Sequence, residues 1–296
     1  MNVRKPHSIN VGGRLMDLSV PRVMGIVNLT PDSFYASSRT PTEADAARRA
    51  RQLLDEGADL LDVGAYSSRP GAADVSPGEE MDRLRRGLRA IRQACPEAVL
   101  SVDTFRSDVA RMCVEELGVS LINDISGGEM DPKMLATVAQ LGVPYILMHM
   151  QGTPQDMQAA PRYADVVREV FLYLSERVQR LRDLGAKDII LDPGFGFGKT
   201  LAHNYELLSC LEEMQMFDLP ILVGVSRKSM VYRLLGVTPQ EALGGTTVLH
   251  AIALLKGAHI LRVHDVRPAV EAVRIVRAME QPATWAQAAT AVSPSH

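Results

Sequence analysis

Cysteine is scarce in this chain, and long apolar runs are missing from it. The three cysteines, Cys95, Cys113 and Cys210, lie far apart and lack the spacing of a metal site. This pattern favours a reducing compartment and no disulfide framework. No run of about 18 apolar residues is present to span a membrane, and the first residues lack the apolar core of a secretion signal. We therefore expect a cytoplasmic protein with no membrane contact.

Basic clusters are also missing. Lys and Arg total 32 against 35 Asp and Glu, for a formal net charge of −3, and no basic stretch could follow a nucleic-acid backbone, so nucleic acid is not an expected partner. Of the 296 residues, 46% are hydrophobic and 23% are charged. These values are typical of a globular chain with a sizeable core, and the length is ordinary for one α/β barrel.

Short, β-branched apolar runs recur along the chain, and helical patterns separate them. In Glu43–Gly57, for example, Ala46, Ala50 and Leu53 fall on one face and a glycine follows. The near-continuous apolar character of the runs predicts parallel strands buried on both faces. The eight predicted strands are Val23–Leu29, Leu60–Gly64, Val99–Asp103, Leu121–Ile125, Tyr145–Met150, Ile189–Asp192, Ile221–Val225 and Ile260–Val263.

Eight strands alternating with helices predict an α/β fold of the (β/α)₈ TIM-barrel class. An open doubly wound sheet is the alternative, but no dinucleotide fingerprint follows the first run. Residues Ile9–Leu18 are interpreted as a hairpin turning at Gly12-Gly13, which could plug the N-terminal mouth of the barrel. We expect residues 1–280 to form one domain and residues 281–296 to be a flexible tail.

Polar residues stand at the ends of the predicted strands, where barrel enzymes carry their active sites. A helix N-cap is an equal explanation for any single Asp or Asn, and Asp62, Asp124 and Asp265 could be caps or supports. Caps do not require Arg, Lys and His, so the whole ring indicates an active site. Its members include Asn28, Asp62, Asp103, Asn123, Asp124, Met148, His149, Asp192, Lys228, Arg262, His264 and Asp265.

The glycine-rich segment Asp192–Thr200 resembles a phosphate-binding loop only superficially. Pro193 occupies the place of the first glycine of a P-loop, and Lys199 occupies the place of the last glycine of G-x-G-x-x-G. The glycines are better explained by close approach of the backbone to a flat ligand, with Phe197 as a wall. Two long loops, Thr30–Thr42 and Ala65–Gly78, leave the same predicted face and are typical of functional loops.

Seven segments together resemble the motifs of the dihydropteroate synthase family. They appear in family order from about Ile9 to Met279, and only the set is specific. The resemblance implies a transferase that joins 6-hydroxymethyl-7,8-dihydropterin diphosphate to 4-aminobenzoate, releases diphosphate, and commonly forms a homodimer through its late helices. The segments are Met24–Phe34, Ser67–Gly71, Ser101–Thr104, Asn123–Gly128, Asp192–Lys199, Ser226–Ser229 and Arg262–Asp265.

The resemblance also implies which residues bind the pterin. Asp192 matches the carboxylate that accepts two N–H groups of the pyrimidine edge. Asp103 and Asn123 match further pterin contacts, Lys228 matches the lysine on the carbonyl side, and Met148 matches the apolar floor. A heterocycle that left these groups unpaired would lose on the order of 1–3 kcal/mol per group, so the site should reject it.

The diphosphate and the metal have their own implied residues. Arg262 and His264 match anion contacts, and their spacing of two on one strand predicts that both side chains point the same way. Asn28 matches a ligand of the Mg²⁺ that bridges the diphosphate. With Asp103 and Lys228, these three residues form the expected catalytic set. The implied reaction is displacement at the exocyclic CH₂ by a neutral aryl amine, which needs positioning and leaving-group stabilisation rather than a strong base.

The resemblance places 4-aminobenzoate against Phe197, Pro70 and the stem of Lys228. Ser229 would meet its carboxylate at the start of a helix. Ser68 and Arg69 belong to the loop expected to close over this substrate.

The loop departs from the family pattern Gly-Gly/Glu-Ser-Thr-Arg-Pro-Gly at two positions. Tyr66 is bulkier than the family residue, and Ser68 replaces threonine. These changes predict a shifted aminobenzoate pocket and a shifted sulfonamide response. Two other functions stay open: a non-catalytic pterin-binding paralogue, and a methyltetrahydrofolate-type methyltransferase, which would not need a diphosphate site.

Overall fold

A small antiparallel hairpin precedes the main sheet. The computed structural model describes residues 4–30, 42–67 and 74–282, so most of the two long loops and the predicted tail lie outside the described residues. Strand β1 (Ser8–Val11) pairs with β2 (Arg14–Asp17), and Gly12 and Gly13 turn the chain with φ of 61° and 84°. The predicted hairpin is confirmed.

Eight parallel strands follow, each hydrogen-bonded to its neighbour in the order β8-β7-β6-β5-β4-β3-β10-β9. A parallel bridge between Leu191 and Ile221 joins the two ends of this order, so the sheet is a nearly closed barrel. The predicted (β/α)₈ barrel is confirmed. The strands are β3 (Arg22–Asn28), β4 (Leu60–Gly64), β5 (Leu100–Asp103), β6 (Leu121–Asp124), β7 (Tyr145–Met148), β8 (Ile189–Asp192), β9 (Leu222–Val223) and β10 (Ile260–Val263).

Strand β9 is shorter than the predicted Ile221–Val225. The amide of Ile221 donates to Nδ1 of His259 at 3.0 Å instead of to a strand, and the amide of Lys228 turns back to the carbonyl of Val225 at 3.2 Å. A side chain and a turn therefore take backbone groups that a longer ladder would have used.

Helices cover the outside of the barrel. The first begins at a capping box, in which Thr42 and Asp45 bond each other's backbone amides, and it buries Ala46, Ala50 and Leu53 as predicted. The helices are α1 (Glu43–Asp55), α2 (Pro77–Ala94), α3 (Ser107–Leu117), α4 (Met134–Leu141), α5 (Val166–Asp183), α6 (Leu201–Ser209), α7 (Ser229–Leu235), α8 (Leu243–Leu255) and α9 (Val266–Glu280), with a 3₁₀ helix at Leu211–Phe217.

The hairpin closes one mouth of the barrel. Ile9, Val11 and Leu18 pack in one buried cluster with the first inward-facing residues of the strands, including Met24 and Ile146. Burial of these side chains contributes on the order of 1.5–3 kcal/mol each. The plug lies at the N-terminal ends of the strands, which leaves the opposite mouth, at their C-terminal ends, for a ligand. No helix in the described ranges is long and apolar enough to cross a membrane.

Candidate active site

An arginine and two carboxylates form the centre of the site inside the open mouth of the barrel. Nε of Arg262, from β10, donates to Asp62 of β4 at 2.6 Å, and Nη2 donates to Asp103 of β5 at 2.7 Å. Asn123 of β6 donates from Nδ2 to the same oxygen of Asp62 at 2.8 Å. Neighbouring strands in a barrel bring these residues together although they are up to 200 positions apart in the chain.

The charges in this cluster shift one another's titration. Burial, with help from Asp62, Glu80 and Asp124, raises the pKa of Asp103 to about 7, although Arg262 opposes the rise. Burial alone would lower the pKa of Arg262, but Asp62 and Asp103 raise it above its ordinary value. Arg262 is therefore a permanent cation whose charge is already shared between two carboxylates.

Asp62 belongs to the site, and the sequence-based interpretation of it as a possible cap or support was too weak. The residue is fully buried, and one carboxylate oxygen accepts from both Arg262 and Asn123. Its other oxygen has no hydrogen-bond partner among the described residues. The available signal was its position: Asp62 stands inside a buried strand, LLDVG, and not after it, where an unpaired charge would be costly.

Asp124 and Asp265 are supports. Asp124 accepts from the amides of Ser126 and Gly128 and from the hydroxyls of Ser126 and Tyr145, at 2.7–2.8 Å. Asp265 takes two hydrogen bonds from the guanidinium of Arg227 at 2.7 and 3.0 Å. Both carboxylates hold the turns that follow strands, and neither joins the Arg262 cluster.

Asp192 ends β8 at the opposite side of the mouth. It is 5% exposed, and its Oδ1 accepts from the amide of Gly194 at 2.7 Å. Burial raises its pKa, and Lys228 and Gly194 oppose that rise. Burial also lowers the pKa of the nearby Lys228 ammonium to about 8. Asp192 and Lys228 thus present opposite charges into the same space.

The glycine-rich loop that follows β8 packs against protein backbone. A Cβ on Gly194 would lie 1.8 Å from the carbonyl oxygen of His149, and one on Gly198 would lie 2.4 Å from that of Gln151. At these two glycines the close approach is to the chain after β7, which corrects the expectation that they serve a flat ligand. Phe197 does face the site, because the Lys228 ammonium lies 4.6 Å from the centre of its ring.

An apolar wall adjoins these charges. Met148 lies in a buried cluster with Phe105, Ile125, Met150 and Met157, and Tyr66, Met130 and Phe197 pack against it. The described residues therefore place an apolar surface beside Asp192 and Lys228, as a flat heterocycle requires.

Tyr66 is the departure from the family loop, and it joins two walls of the mouth. Its ring meets Phe105 edge-on at 5.0 Å, and its hydroxyl accepts from Nε2 of Gln155 at 2.9 Å. Arg106, held by Glu80 and the carbonyl of Val75, lies over both rings. Residues 68–73 start beyond this contact, and the predictions for Ser68, Arg69 and Pro70 lie outside the described residues.

His264 is placed differently from the prediction. Strand β10 ends at Val263, so His264 is the first residue of the following loop and strand alternation does not set its direction. Its amide donates to Ser226 Oγ at 3.1 Å, and its carbonyl accepts from Arg49 at 2.7 Å. Asn28 ends β3 at the same mouth, and Ser229 begins α7 directly after Lys228.

The raised pKa of Asp103 predicts a pH-dependent affinity. The carboxylate, but not the acid, offers two free acceptor oxygens to ring N–H groups. Since the pKa of Asp103 is about 7, we expect the affinity for a 6-hydroxymethylpterin to rise as the pH is raised from 5.5 to 7. Calorimetry across this range measures the rise, and Asp103→Asn should remove it. A rise of the same size in the variant would assign the titration to another group.

A barrel with a plugged base and a cationic, carboxylate-lined mouth next to an apolar wall is the architecture of a pterin-binding enzyme. A family model described as "Pterin binding enzyme" matches residues 24–264. The dihydropteroate synthase of Escherichia coli K12 is 48% identical over 268 residues, covering 90% of this chain and 94% of the relative. That of Neisseria meningitidis serogroup C is 42% identical over 280 residues, covering 92% and 98%.

Solved structures agree with the relatives. The Yersinia pestis dihydropteroate synthase with a sulfonamide drug complex superimposes with a TM-score of 0.87 at 43% identity, covering 93% of this chain and 99% of the other. The Xanthomonas albilineans dihydropteroate synthase with 4-aminobenzoic acid gives 0.86 at 40% identity, covering 94% and 99%. The chain belongs to the dihydropteroate synthase family of transferases, and the resemblance inferred from the motifs is confirmed.

Proposed function

We propose that this protein condenses 6-hydroxymethyl-7,8-dihydropterin diphosphate with 4-aminobenzoate to give 7,8-dihydropteroate and diphosphate. The observation that carries the proposal is the convergence of Asp62, Asp103, Asn123 and Arg262 in one hydrogen-bonded cluster at the open mouth. Such a cluster is costly to bury, and a barrel that only needed to fold would fill the space with apolar side chains.

Asp192, Asn123 and Asp103 would bind the pterin. Asp192 keeps one carboxylate oxygen on the Gly194 amide, and as a carboxylate it has acceptor capacity left for the N–H groups of a pyrimidine edge. Lys228, which now donates to the carbonyl of Phe195, could turn its ammonium to a ring acceptor. Met148 and the apolar wall would cover one face of the ring.

The leaving diphosphate would be stabilised by Arg262 and His264. Two of the Arg262 nitrogens are bound to carboxylates, so this residue would offer its remaining N–H groups to an anion while its guanidinium stays fixed by those carboxylates. A fixed cation stabilises developing charge without reorganisation during the reaction.

Mg²⁺ is the proposed metal, and Asn28 is its proposed protein ligand. The described residues contain no group of three or more His, Cys, Asp or Glu that could cage a metal. This donor set fits Mg²⁺, which uses few protein ligands and binds largely through substrate phosphates and water. When bound, the ion would neutralise charge on the diphosphate.

The amine of 4-aminobenzoate would be held near the pterin CH₂ by Phe197, the Lys228 stem and Ser229. Its nitrogen is neutral and nucleophilic at pH 7, so the protein's role is to orient it and to exclude water. The bond from CH₂ to the diphosphate oxygen breaks, the bond from nitrogen to CH₂ forms, and the amine releases one proton.

The direct test is a turnover assay with both substrates. We expect release of one diphosphate per dihydropteroate formed, and loss of turnover when EDTA removes Mg²⁺. Asn28→Ala should raise the Mg²⁺ concentration for half-maximal rate about tenfold (about 1.4 kcal/mol), whereas Asn10→Ala, in the hairpin, should not. Pterin binding by calorimetry without any turnover would identify a non-catalytic paralogue.

A homodimer through the late helices is also proposed. Large apolar side chains lie exposed on α7, α8 and α9, and exposed patches of this kind commonly mark interfaces. They are Leu234, Leu235, Val248, Ile275 and Met279, at 49–63% exposure.

Analytical ultracentrifugation tests the dimer. Val248→Asp should convert it to a monomer, because a carboxylate at the interface would lose its hydration without a partner. Leu172→Asp, a similarly exposed residue on α5, is the matched control and should leave the mass unchanged. A wild-type chain that sediments as a monomer at micromolar concentration would contradict the proposal.

A cytoplasmic location and sulfonamide binding complete the proposed function. Cys95 and Cys113 are buried free thiols, which suits a reducing compartment. Sulfonamides share the aryl-amine shape of 4-aminobenzoate and would occupy the same space beside Phe197. Tyr66, through its contacts to Phe105 and Gln155, would set the width of the adjoining wall.

A further inference from the structure

Lys199 is a buried cation that the reaction described above does not use. Its residue is 3% exposed, and no carboxylate of the described ranges lies within ion-pair distance of its ammonium. Nζ instead lies 2.9 Å from the carbonyl oxygen of Gly194, 3.1 Å from that of Phe197 and 2.9 Å from Nδ1 of His149. A buried ammonium is costly unless its hydrogen bonds are made, so this arrangement has a specific geometric content.

His149 takes part as a neutral acceptor. Burial lowers its pKa to about 2, and the adjacent Lys199 charge lowers it further. Nδ1 therefore accepts from the ammonium, and the ring packs edge-on against Tyr173 at 4.7 Å. Lys199 is thus tied to the end of β7 as well as to its own loop.

The loop from Gly194 to Gly198 is folded around this ammonium. Gly194, Gly196 and Gly198 all have positive φ, at 73°, 80° and 58°, which turns successive carbonyls in different directions. Gln158 donates to the carbonyl of Gly196 and Tyr163 to that of Gly198, at 2.7 and 2.8 Å, from the outer side. The carbonyls of Gly194 and Phe197 turn inward, and Lys199 is their side-chain donor.

The same loop sets three groups of the substrate site. The Gly194 amide holds Oδ1 of Asp192, the Phe195 carbonyl accepts from Lys228, and Phe197 lies under the Lys228 ammonium. Lys199 bonds the two residues next to Phe195 and Gly196 on either side, so loss of its ammonium would release both inward carbonyls and the loop that carries these contacts.

We propose that Lys199 is a positioning residue for both substrate pockets, acting through the loop between β8 and α6. Its ammonium holds the loop in the conformation that orients Asp192 and Lys228 toward the pterin and Phe197 toward 4-aminobenzoate. It touches neither substrate. Its charge acts in the same sense, because Asp192 and Lys199 stabilise each other's ionised forms.

Two substitutions separate this role from plain stabilisation. Lys199→Met fills the same space without hydrogen bonds or charge, and Lys199→Arg keeps the charge but has a planar donor set that does not match three convergent acceptors. Lys256→Met is the control, since that surface lysine pairs with Glu212 away from the mouth.

In Lys199→Met we expect at least a tenfold rise in both the Kd for 6-hydroxymethylpterin and the KM for 4-aminobenzoate, with kcat reduced less than either constant is raised. Circular dichroism should show a folded barrel. Lys199→Arg should show the same pattern at a smaller size, and Lys256→Met should match the wild type. If Lys199→Met does not fold, Lys199→Arg decides alone.

The proposal is distinguishable from the turnover proposal because it concerns two binding constants in folded protein. A variant with a lower Tm but unchanged Kd and KM would make Lys199 a stabilising residue only and would overturn the inference. A change in the pterin constant without a change in the aminobenzoate constant would also overturn it, since one loop carries both contacts.

Discussion

Replacing Asp192 by alanine should abolish measurable pterin binding. The carboxylate is buried at the end of β8, and a ring that has left water would find its paired N–H groups without an acceptor. Charge-assisted hydrogen bonds contribute about 1.5–3 kcal/mol each. Loss of two therefore lowers the affinity at least a hundredfold, which corresponds to about 2.7 kcal/mol.

Calorimetry with 6-hydroxymethylpterin measures this loss, because the ligand carries no diphosphate and reports on the pterin pocket alone. Asp192→Asn is the matched variant: it keeps the shape and one acceptor oxygen and should fall between the wild type and Asp192→Ala. Asp218→Asn, on an exposed turn, should bind like the wild type. An unchanged affinity in Asp192→Ala would remove the central assignment of the site.

Replacing Arg262 by alanine should cost both activity and stability. Two carboxylates, Asp62 and Asp103, would lose their only cationic hydrogen-bond donor in the described part of the chain, and breaking a buried pair typically costs about 3–5 kcal/mol. The exposed fraction of Asp103, 25%, places the expected loss of unfolding free energy at the lower end, about 3 kcal/mol.

The kinetic effect of Arg262→Ala should be larger for the diphosphate substrate than for the pterin alcohol. We expect kcat/KM with the diphosphate to fall about a thousandfold, equivalent to about 4 kcal/mol, because the anion loses a fixed cation. The Kd of the alcohol should rise only through the disturbed Asp62 and Asp103.

Two further variants separate the causes. Arg262→Lys keeps a charge but cannot bond two carboxylates as a fork, and Asp62→Asn added to Arg262→Ala should recover stability without recovering activity. Arg85→Ala, whose guanidinium pairs with Glu116 at the surface, is the control. Equal losses for alcohol and diphosphate would contradict the anion role of Arg262.

The fold was predictable because its signals are local. A parallel strand buried on both faces must be apolar throughout, and a glycine must follow where a helix ends with positive φ, so strands such as Leu60–Gly64 and Ile189–Asp192 can be located without tertiary information. The same alternation located the polar strand ends, because a (β/α)₈ barrel places all of them at one mouth.

Partnerships across the barrel were not predictable in this way. Alternation wrongly grouped His264 with Arg262, since the length of β10 depends on its neighbours β9 and β3. Asp62 was underrated because the cost of its burial is offset by Arg262 and Asn123, which lie far away in the chain.

The sequence by itself determined the barrel, the hairpin plug, the family and the side chains at the open mouth, because apolar periodicity and motif order are properties of neighbouring residues. Only the tertiary structure decided how those side chains are paired: that Arg262 is shared between Asp62 and Asp103, and that the glycine-rich loop closes around Lys199. The physical reason is that hydrogen bonds and ion pairs act over a few ångströms in space, whatever the separation in the chain.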